Sequence, residues 1–355
     1  MPVKKKEPAV PQALQKTGGA FEVSQSTIKT WRRCQAKYDY RYVQLLERRR
    51  PVLQLIRGTM LGKCLDAIAL KRLKPNAPAW AKALEPYKAQ YAKLFREEQE
   101  HYGDIIGEVI RIVTRYERIY ANDGLTYQKG PDGKPFELPV RVDLAPGIIF
   151  TGHIDKMPTD KQGRVFDLDH KSHKNIPDVE DRFSDLQQVF YQWAMPLSGY
   201  PQPAGVIWDY IRTKPPAVPE ELKNGELSKR KNIDTDYETY LGEITRLKLN
   251  PKDYREILDQ LKSRGNMDFY QRVRLPAPGK ELIKNVVEGA RTTAIEIKRL
   301  GGASKVRSMD WTCKSCEFKS LCQTDLRGLD SSFIRKTDYQ IQKDPRHVHV
   351  MDETE

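Results

Sequence analysis

Apolar side chains recur at helical spacing through most of the first 120 residues. In "VSQSTIKTWRRCQAKYDYRYV", residues 23–43, Ile28, Trp31 and Tyr38 share one side of a helix that Ser24 or Ser26 can cap, with Cys34 a turn beyond Trp31. "QLIRGTMLGKCLDAIALKRL", residues 54–73, repeats the spacing, and residues 80–122 predict further long helices broken near Gly103. The period then shortens to two. "PFELPVRVDL", "GIIFTGHIDKMP" and "RVFDLDHKSH" are β-rich runs separated by "APG" and "TDKQG" turn signals. A helix at "SDLQQVFYQWAMPLS" and a strand at "AGVIWDYIRT" complete a strand, helix, strand order, as in a mixed sheet with a crossover. The predicted class is α/β.

Around this core the chain divides further. Residues 1–20 read as a mobile basic tail and 331–355 as a polar tail, leaving 21–330 as one domain. Residues 213–280 are charged and punctuated by proline, with helical texture in 235–263, and predict a basic insertion or arm; "RTK" at 212–214 and "KRK" at 229–231 suit phosphate tracking. A last long helix over about 280–300 ends at "GGASK".

Composition narrows the partner and the compartment. Lys and Arg number 61 against 48 Asp and Glu, a net charge of +13 that favours a polyanion such as nucleic acid. No apolar run approaches the roughly 20 residues of a membrane span, and the first residues lack the apolar core of a signal peptide, so a soluble, cytoplasmic protein is expected. Of five cysteines, Cys313, Cys316 and Cys322 are clustered as C-x2-C-x5-C, which in a reducing compartment reads as metal ligation. Cys64 sits on an apolar-periodic helix and reads as a small buried side chain.

The acidic strands carry the candidate chemistry. Strand periodicity puts His153 and Asp155 on one face, and Asp167, Asp169 and Lys171 on one face of the next strand. Asp155 and Asp169 are hard oxygen ligands suited to Mg²⁺ or Mn²⁺, and Lys171 is placed to position a water or offset phosphate charge. Gln187 and Tyr191 fall one helical turn apart on one face downstream.

Gly152, Ile154 and Asp155, then Asp167, Asp169, Lys171 and Ser172, resemble the core hairpin of the PD-(D/E)xK nuclease superfamily, and Gln187 with Tyr191 resembles the Q-x-x-x-Y helix of its RecB-like branch. The cysteine triplet is similar to that of the iron–sulfur RecB-like exonucleases, AddB-type, CRISPR-associated and phage. In those, a lone upstream cysteine is the fourth ligand, in a context like Ser24, Ser26, Ile28, Cys34, Lys37 and Tyr38 here. The resemblance implies a restriction-endonuclease-like sheet flanked by helices. It also implies a clasp in which Cys34, Cys313, Cys316 and Cys322 hold a [4Fe–4S] cluster, with zinc as the alternative and Trp311 and Phe318 as shields. Asp155, Asp169, Lys171, Gln187 and Tyr191 would be catalytic, in a Mg²⁺- or Mn²⁺-dependent exonuclease acting on DNA ends, single-stranded first, in phage or prokaryotic recombination, repair or replication. One position departs from the pattern: "GTMLGKCLD" keeps Gly58 and Asp66 but carries Gly62 where the family has a metal-binding histidine. Asp66 and His153 are the candidate replacements. The alternative function is a weak or inactive DNA-binding or assembly protein that keeps the fold and cluster, against which stands the retention of Asp155, Asp169 and Lys171 together.

Overall fold

The computed structural model describes residues 20–50, 53–177, 185–265, 267–303 and 305–342. Ten strands run in chain order: β1 (Phe21–Val23), β2 (Leu46–Arg48), β3 (Thr126–Tyr127), β4 (Leu138–Ala145), β5 (Ile148–Ile154), β6 (Pro158–Thr159), β7 (Asp167–His173), β8 (Gly205–Arg212), β9 (Tyr270–Pro276) and β10 (Tyr339–Ile341). The helices are α1 (Gln25–Arg33), α2 (Gln35–Tyr38), α3 (Leu53–Leu73), α4 (Glu85–Lys93), α5 (Arg96–Tyr102), α6 (Ile105–Ile119), α7 (Leu186–Leu197), α8 (Tyr237–Arg246), α9 (Arg255–Arg264), α10 (Lys280–Leu300), α11 (Lys319–Leu326) and α12 (Ser332–Asp338). Ser24 caps α1 by accepting from the Thr27 N–H at 3.2 Å. Gly103, at φ 58°, ends α5 where the chain must turn left-handed.

Two three-stranded sheets form the centre, in the orders β1-β5-β4 and β7-β8-β9. They are joined where Lys156 and Leu168 exchange backbone hydrogen bonds of 3.2 and 2.9 Å, so the run from β5 to β7 is an antiparallel hairpin. The β7–α7–β8 unit returns in parallel, with Asp169 opposite Trp208 and His170 opposite Asp209. The burial pattern follows from this packing. β4 alternates buried and exposed because one face meets α7 and α10, whereas every residue of β8 is buried between its two neighbours and the layers on both faces.

One apolar cluster joins the β4–β5 face to Phe190, Tyr191, Ala194, Ala290 and Ala294 of α7 and α10. A second packs α3 and α6 on Ile211 and Tyr270 at the other sheet. A third small core gathers Ala36, Tyr40 and Leu46 with Phe318, Leu321 and Tyr339, tying the two ends of the described chain together; β10 pairs with β2 beside it.

Two boundaries and the charge of the arm differ from what the sequence predicts. Residues 331–342, expected as tail, form α12 and β10, with Tyr339 1% exposed. Residues 270–276, expected within the arm, are β9, the third strand of the sheet. The arm itself, residues 213–265, has its own core of Leu227, Tyr240, Ile244, Tyr254, Ile257 and Leu261, and carries 11 Lys and Arg against 10 Asp and Glu. It is therefore nearly neutral rather than basic. The positive charge concentrates where the ends meet: residues 21–50 hold 8 Lys and Arg against 3 Asp and Glu, and residues 298–342 hold 9 against 5, together +9 of the chain's +13. The expected basic tail, Ala20 apart, and residues 343–355 lie outside the described residues.

Candidate active site

β7 supplies a row of charge on one face because strand alternation sends Asp167, Asp169 and Lys171 the same way. Lys171 Nζ lies 2.7 Å from Asp169 Oδ2 and donates to Gln187 Oε1 at 3.2 Å, while Gln187 Nε2 donates to Asp169 Oδ1 at 3.3 Å. Three side chains from a strand and a helix thus close a ring. The start of α7 is fixed by Asp185, whose carboxylate accepts the Gln187 N–H at 2.9 Å. Asp155, just past β5, enters the same site: its Oδ2 accepts the His170 backbone N–H at 2.9 Å.

Gly152 is required by the next turn of α7. A methyl at that position would stand 2.9 Å from Tyr191 Cε1 and 3.4 Å from its hydroxyl, so the ring lies directly on the strand backbone. Tyr191 is buried, and burial together with the charge of Asp167 pushes its phenol above the ordinary range.

The carboxylates crowd one another. Asp167 is fully buried and neither of its oxygens has a hydrogen-bond partner among the described residues. Burial, reinforced by Asp169 and Asp155, raises its carboxyl well above the ordinary carboxylate range. Burial also pushes Asp169 up to about 7 against the pull of Lys171, with Asp155 adding to the rise. Burial opposes the charge of Lys171, but Asp169 and Asp155 outweigh it and carry the ammonium up to about 12.

These donors suit a hard divalent cation: three carboxylates converge, and one has two buried oxygens with nothing to bind. As they stand, no three Asp, Glu, His or Cys side chains among the described residues are arranged to hold a metal ion; Lys171, Gln187 and the His170 N–H occupy the carboxylate oxygens instead.

Behind the site, the opposite face of the sheet is a buried polar network. His170 Nδ1 is 3.1 Å from Asp209 Oδ2, which Arg272 Nε approaches to 3.1 Å and the Tyr116 hydroxyl also reaches. Arg272 continues to Asp123 at 2.5 Å, and Asp123 to Arg72 at 2.8 Å. Burial opposes the charge of Asp209, yet Arg272, His170 and Tyr116 hold its carboxyl well below the usual range. His170 is pushed the other way, by burial and then by Lys156, so its imidazole is neutral at neutral pH.

The remaining sequence candidates lie apart from this ring. Asp66, on α3, pairs at 3.0 Å with Lys156, a lysine only 2% exposed directly after Asp155. His153 is exposed on β5 opposite Pro139. Gly62 faces open space, with nothing within 4 Å of a Cβ placed there; a Cβ at Gly58, one turn earlier, would stand 3.5 Å from the Ser172 hydroxyl of β7. Lys156, Asp167 as an unpartnered acid, and the Asp209 network escape sequence reasoning. For Lys156 the available signal was a lone lysine in the apolar run "IDKMP".

At the joined ends, Cys34, Cys316 and Cys322 all pack against the small core of Phe318 and Tyr40. The Ala36 N–H reaches the Val306 carbonyl at 3.1 Å, and Arg41 pairs with Glu317 at 2.7 Å. Burial, with Cys34 and Glu317 adding to it, raises the Cys316 thiol, whereas the Arg307 Nε lies 3.3 Å from Cys322 Sγ. These three cysteines share one core, the partly exposed Cys313 is not among the residues packed on it, and no three His, Cys, Asp or Glu side chains among the described residues are arranged to hold a metal ion. Of the two expected shields, Phe318 is fully buried, but Trp311 is 74% exposed and covers nothing.

A family model for the PD-(D/E)XK nuclease superfamily matches residues 22–323. The chain belongs to that superfamily. This PD-(D/E)XK protein finds no match among curated proteins in a sequence comparison. Membership suggests a nuclease, with DNA the implied substrate, and PD-(D/E)XK nucleases generally use divalent metals such as Mg²⁺ or Mn²⁺. Among the described residues of this superfamily member no helix is long and apolar enough to cross a membrane.

Proposed function

We propose that the protein is a Mg²⁺- or Mn²⁺-dependent exodeoxyribonuclease that acts from the end of single-stranded DNA, in the cytoplasm of a prokaryotic or phage-infected cell and in recombination, repair or replication. The observation that carries this reading is the ring of Asp169, Lys171 and Gln187 beside Asp155 and the unpartnered Asp167. Asp155 and Asp169, with Asp167 behind them, would hold the divalent ion, which when bound supplies a polarised phosphate and a more acidic water. Lys171, now paired with Asp169, would offset the charge that develops on the scissile phosphate. Gln187 would hold the lysine in place through the hydrogen bond it accepts from Lys171, and Tyr191, buried against Gly152, would set the depth of α7 rather than touch the DNA. Hydrolysis of end-labelled linear single strands, duplexes and closed single-stranded circles, with Asp169→Ala and Lys171→Ala as controls, tests the reading. Activity on linear single strands that both variants abolish is expected. A wild type as inert as the variants while all three bind DNA would instead establish the non-catalytic alternative.

A [4Fe–4S] cluster on Cys34, Cys313, Cys316 and Cys322, or zinc on the same four, is the companion reading, favoured by the packing of Cys34 on the same small core as Cys316 and Cys322 from the far end of the domain. Anaerobic purification followed by visible absorbance and metal analysis separates the choices. Broad visible absorbance lost in Cys34→Ser means iron–sulfur, colourless protein with zinc means the alternative, and metal-free protein ends both.

A further inference from the structure

The segment "KVRSMD", residues 305–310, has no regular secondary structure and lies along the joined ends of the chain, and Trp311 opens the short 3-10 turn Trp311–Ser315 that follows it. Its backbone is anchored. The Val306 carbonyl accepts from Ala36 at 3.1 Å, the Ser308 hydroxyl donates to the Arg33 carbonyl, and the Asp310 carbonyl accepts from Cys313 at 3.1 Å. Anchored segments of a folded domain ordinarily turn their apolar side chains inward. Here three point out: Val306 is 64% exposed, Met309 63% and Trp311 74%. Scattered exposed hydrophobes need no explanation, but three large ones within six residues form a strip. Met309 is also held at φ 51°, a left-handed conformation that a non-glycine residue seldom adopts.

The surroundings of the strip are cationic. Lys305, Lys314 and Arg33 are exposed around it, and the strip lies where +9 of the chain's charge is concentrated. Two acids lie close by and both are engaged: Asp39 Oδ2 faces Lys305 Nζ at 3.7 Å, leaving the lysine side chain more than half exposed, and Asp310 accepts from the Thr312 N–H at 2.8 Å and from its hydroxyl and also feels the charge of Arg33. An exposed aromatic ring on a fixed backbone, flanked by cations, is the arrangement that stacks unpaired bases while neutralising the phosphates between them. A protein partner would favour a wider apolar patch with less charge at its centre.

We infer that the strip of Val306, Met309 and Trp311, flanked by Arg33, Lys305 and Lys314, is a second docking surface for single-stranded DNA, outside the Asp169–Lys171 ring, on which Trp311 stacks a base. The inference rests on the nuclease reading for its choice of partner, but its test does not depend on turnover.

Binding of a fluorescein-labelled oligothymidine of about 20 nucleotides to the full-length Asp169→Ala chain is measured by anisotropy across a salt series. Trp311→Ala in that background is expected to weaken binding about tenfold, within the range of one lost stacking contact, and Trp311→Phe to restore most of it. Lys305→Ala with Lys314→Ala is expected to lower the slope of log affinity against log salt by about two. A blunt duplex, whose bases are already stacked, is expected to be indifferent to Trp311→Ala. Trp311 is exposed, so these variants fold. Unchanged single-strand affinity in Trp311→Ala overturns the inference, as does a parent chain that fails to bind the oligonucleotide at low salt. If Trp311→Ala leaves DNA binding intact but shifts the sedimentation coefficient, the strip contacts a second copy and the inference is wrong. An inert wild-type enzyme with Trp311-dependent binding would remove the nuclease reading and leave this surface standing.

Discussion

The ring of Tyr191 lies on the backbone of Gly152, close enough that one added methyl would sit 2.9 Å from Cε1. The helix that carries Gln187 is thereby seated at its depth on the hairpin that carries Asp155. Gly152→Ala must push α7 outward or tilt the ring, at about 1–3 kcal/mol, and move Gln187 off Asp169 with a matching fall in nuclease activity. Alanine itself is no worse than glycine in a strand. In a Tyr191→Ala background the same substitution is therefore expected to be neutral or slightly stabilising, so a double-mutant cycle by urea unfolding isolates the contact.

Asp209 is the single acceptor on which His170, Arg272 and Tyr116 converge. Asp209→Ala removes one of the two carboxylates that hold the buried Arg272, Asp123 remaining, and takes the shared acceptor from His170 and Tyr116; it is expected to cost about 1–3 kcal/mol in urea unfolding. The loss reaches the front of the sheet, because His170 gives its backbone N–H to Asp155. Activity at a temperature where the variant remains folded should fall as well; full activity there would mean that the network only holds the fold.

Arg212 and Lys214, each 2.5 Å from Asp234 Oδ2, tie the arm to the end of β8. The hydrogen bond from Arg212 leads in pulling the Asp234 carboxyl down to about 2. A depressed carboxyl stabilises above its unfolded value of about 3.9, and the contribution is lost as pH falls toward 2. With its side chain 37% exposed the pair is partly screened. Asp234→Asn is thus expected to lower stability by about 1 kcal/mol at pH 7 and to match the parent near pH 2, in thermal unfolding at the two pH values. An equal deficit at both would assign the effect to packing.

Gly62 has open space where a side chain would go, one helical turn from Gly58 against β7 and one from Asp66 beside Lys156. Gly62→His therefore meets no steric cost and should gain about 0.5 kcal/mol of helix stability. Because that position carries a metal-binding histidine in the family pattern, tighter Mn²⁺ binding by calorimetry is the expected second outcome. A variant that is stabilised but binds Mn²⁺ no better would show that the opening does not face the carboxylates.

How far the sequence leads depends on the range of the interaction. Period-two alternation suffices to put Asp167, Asp169 and Lys171 on one face, and helical spacing to align Gln187 with Tyr191; the fold brings these rows together. It does not reveal that Asp66 pairs with Lys156, because that contact spans 90 residues and a buried lysine looks like any other in the chain. β9 escapes because "YQRVRLP" carries charges suited to a strand with partly exposed side chains, which resemble those of the neighbouring arm. α12 and β10 escape for a related reason: only Tyr339 among them is deeply buried, against Phe318, and one aromatic residue gives no period.

The meeting of the two ends also sets a timetable. Ala36, Tyr40 and Leu46 emerge early in synthesis, yet Phe318, Leu321 and Tyr339, which cover them, come last; Tyr40 and its hydrogen-bond partner Asp325 are 285 residues apart. At roughly 5–20 residues per second the first half of this core waits about 15–55 s on the ribosome with its apolar side bare. The basic end of the molecule is thus made in two halves, residues 21–50 early and 298–342 late, and takes its folded shape only when the second half has emerged to cover the first.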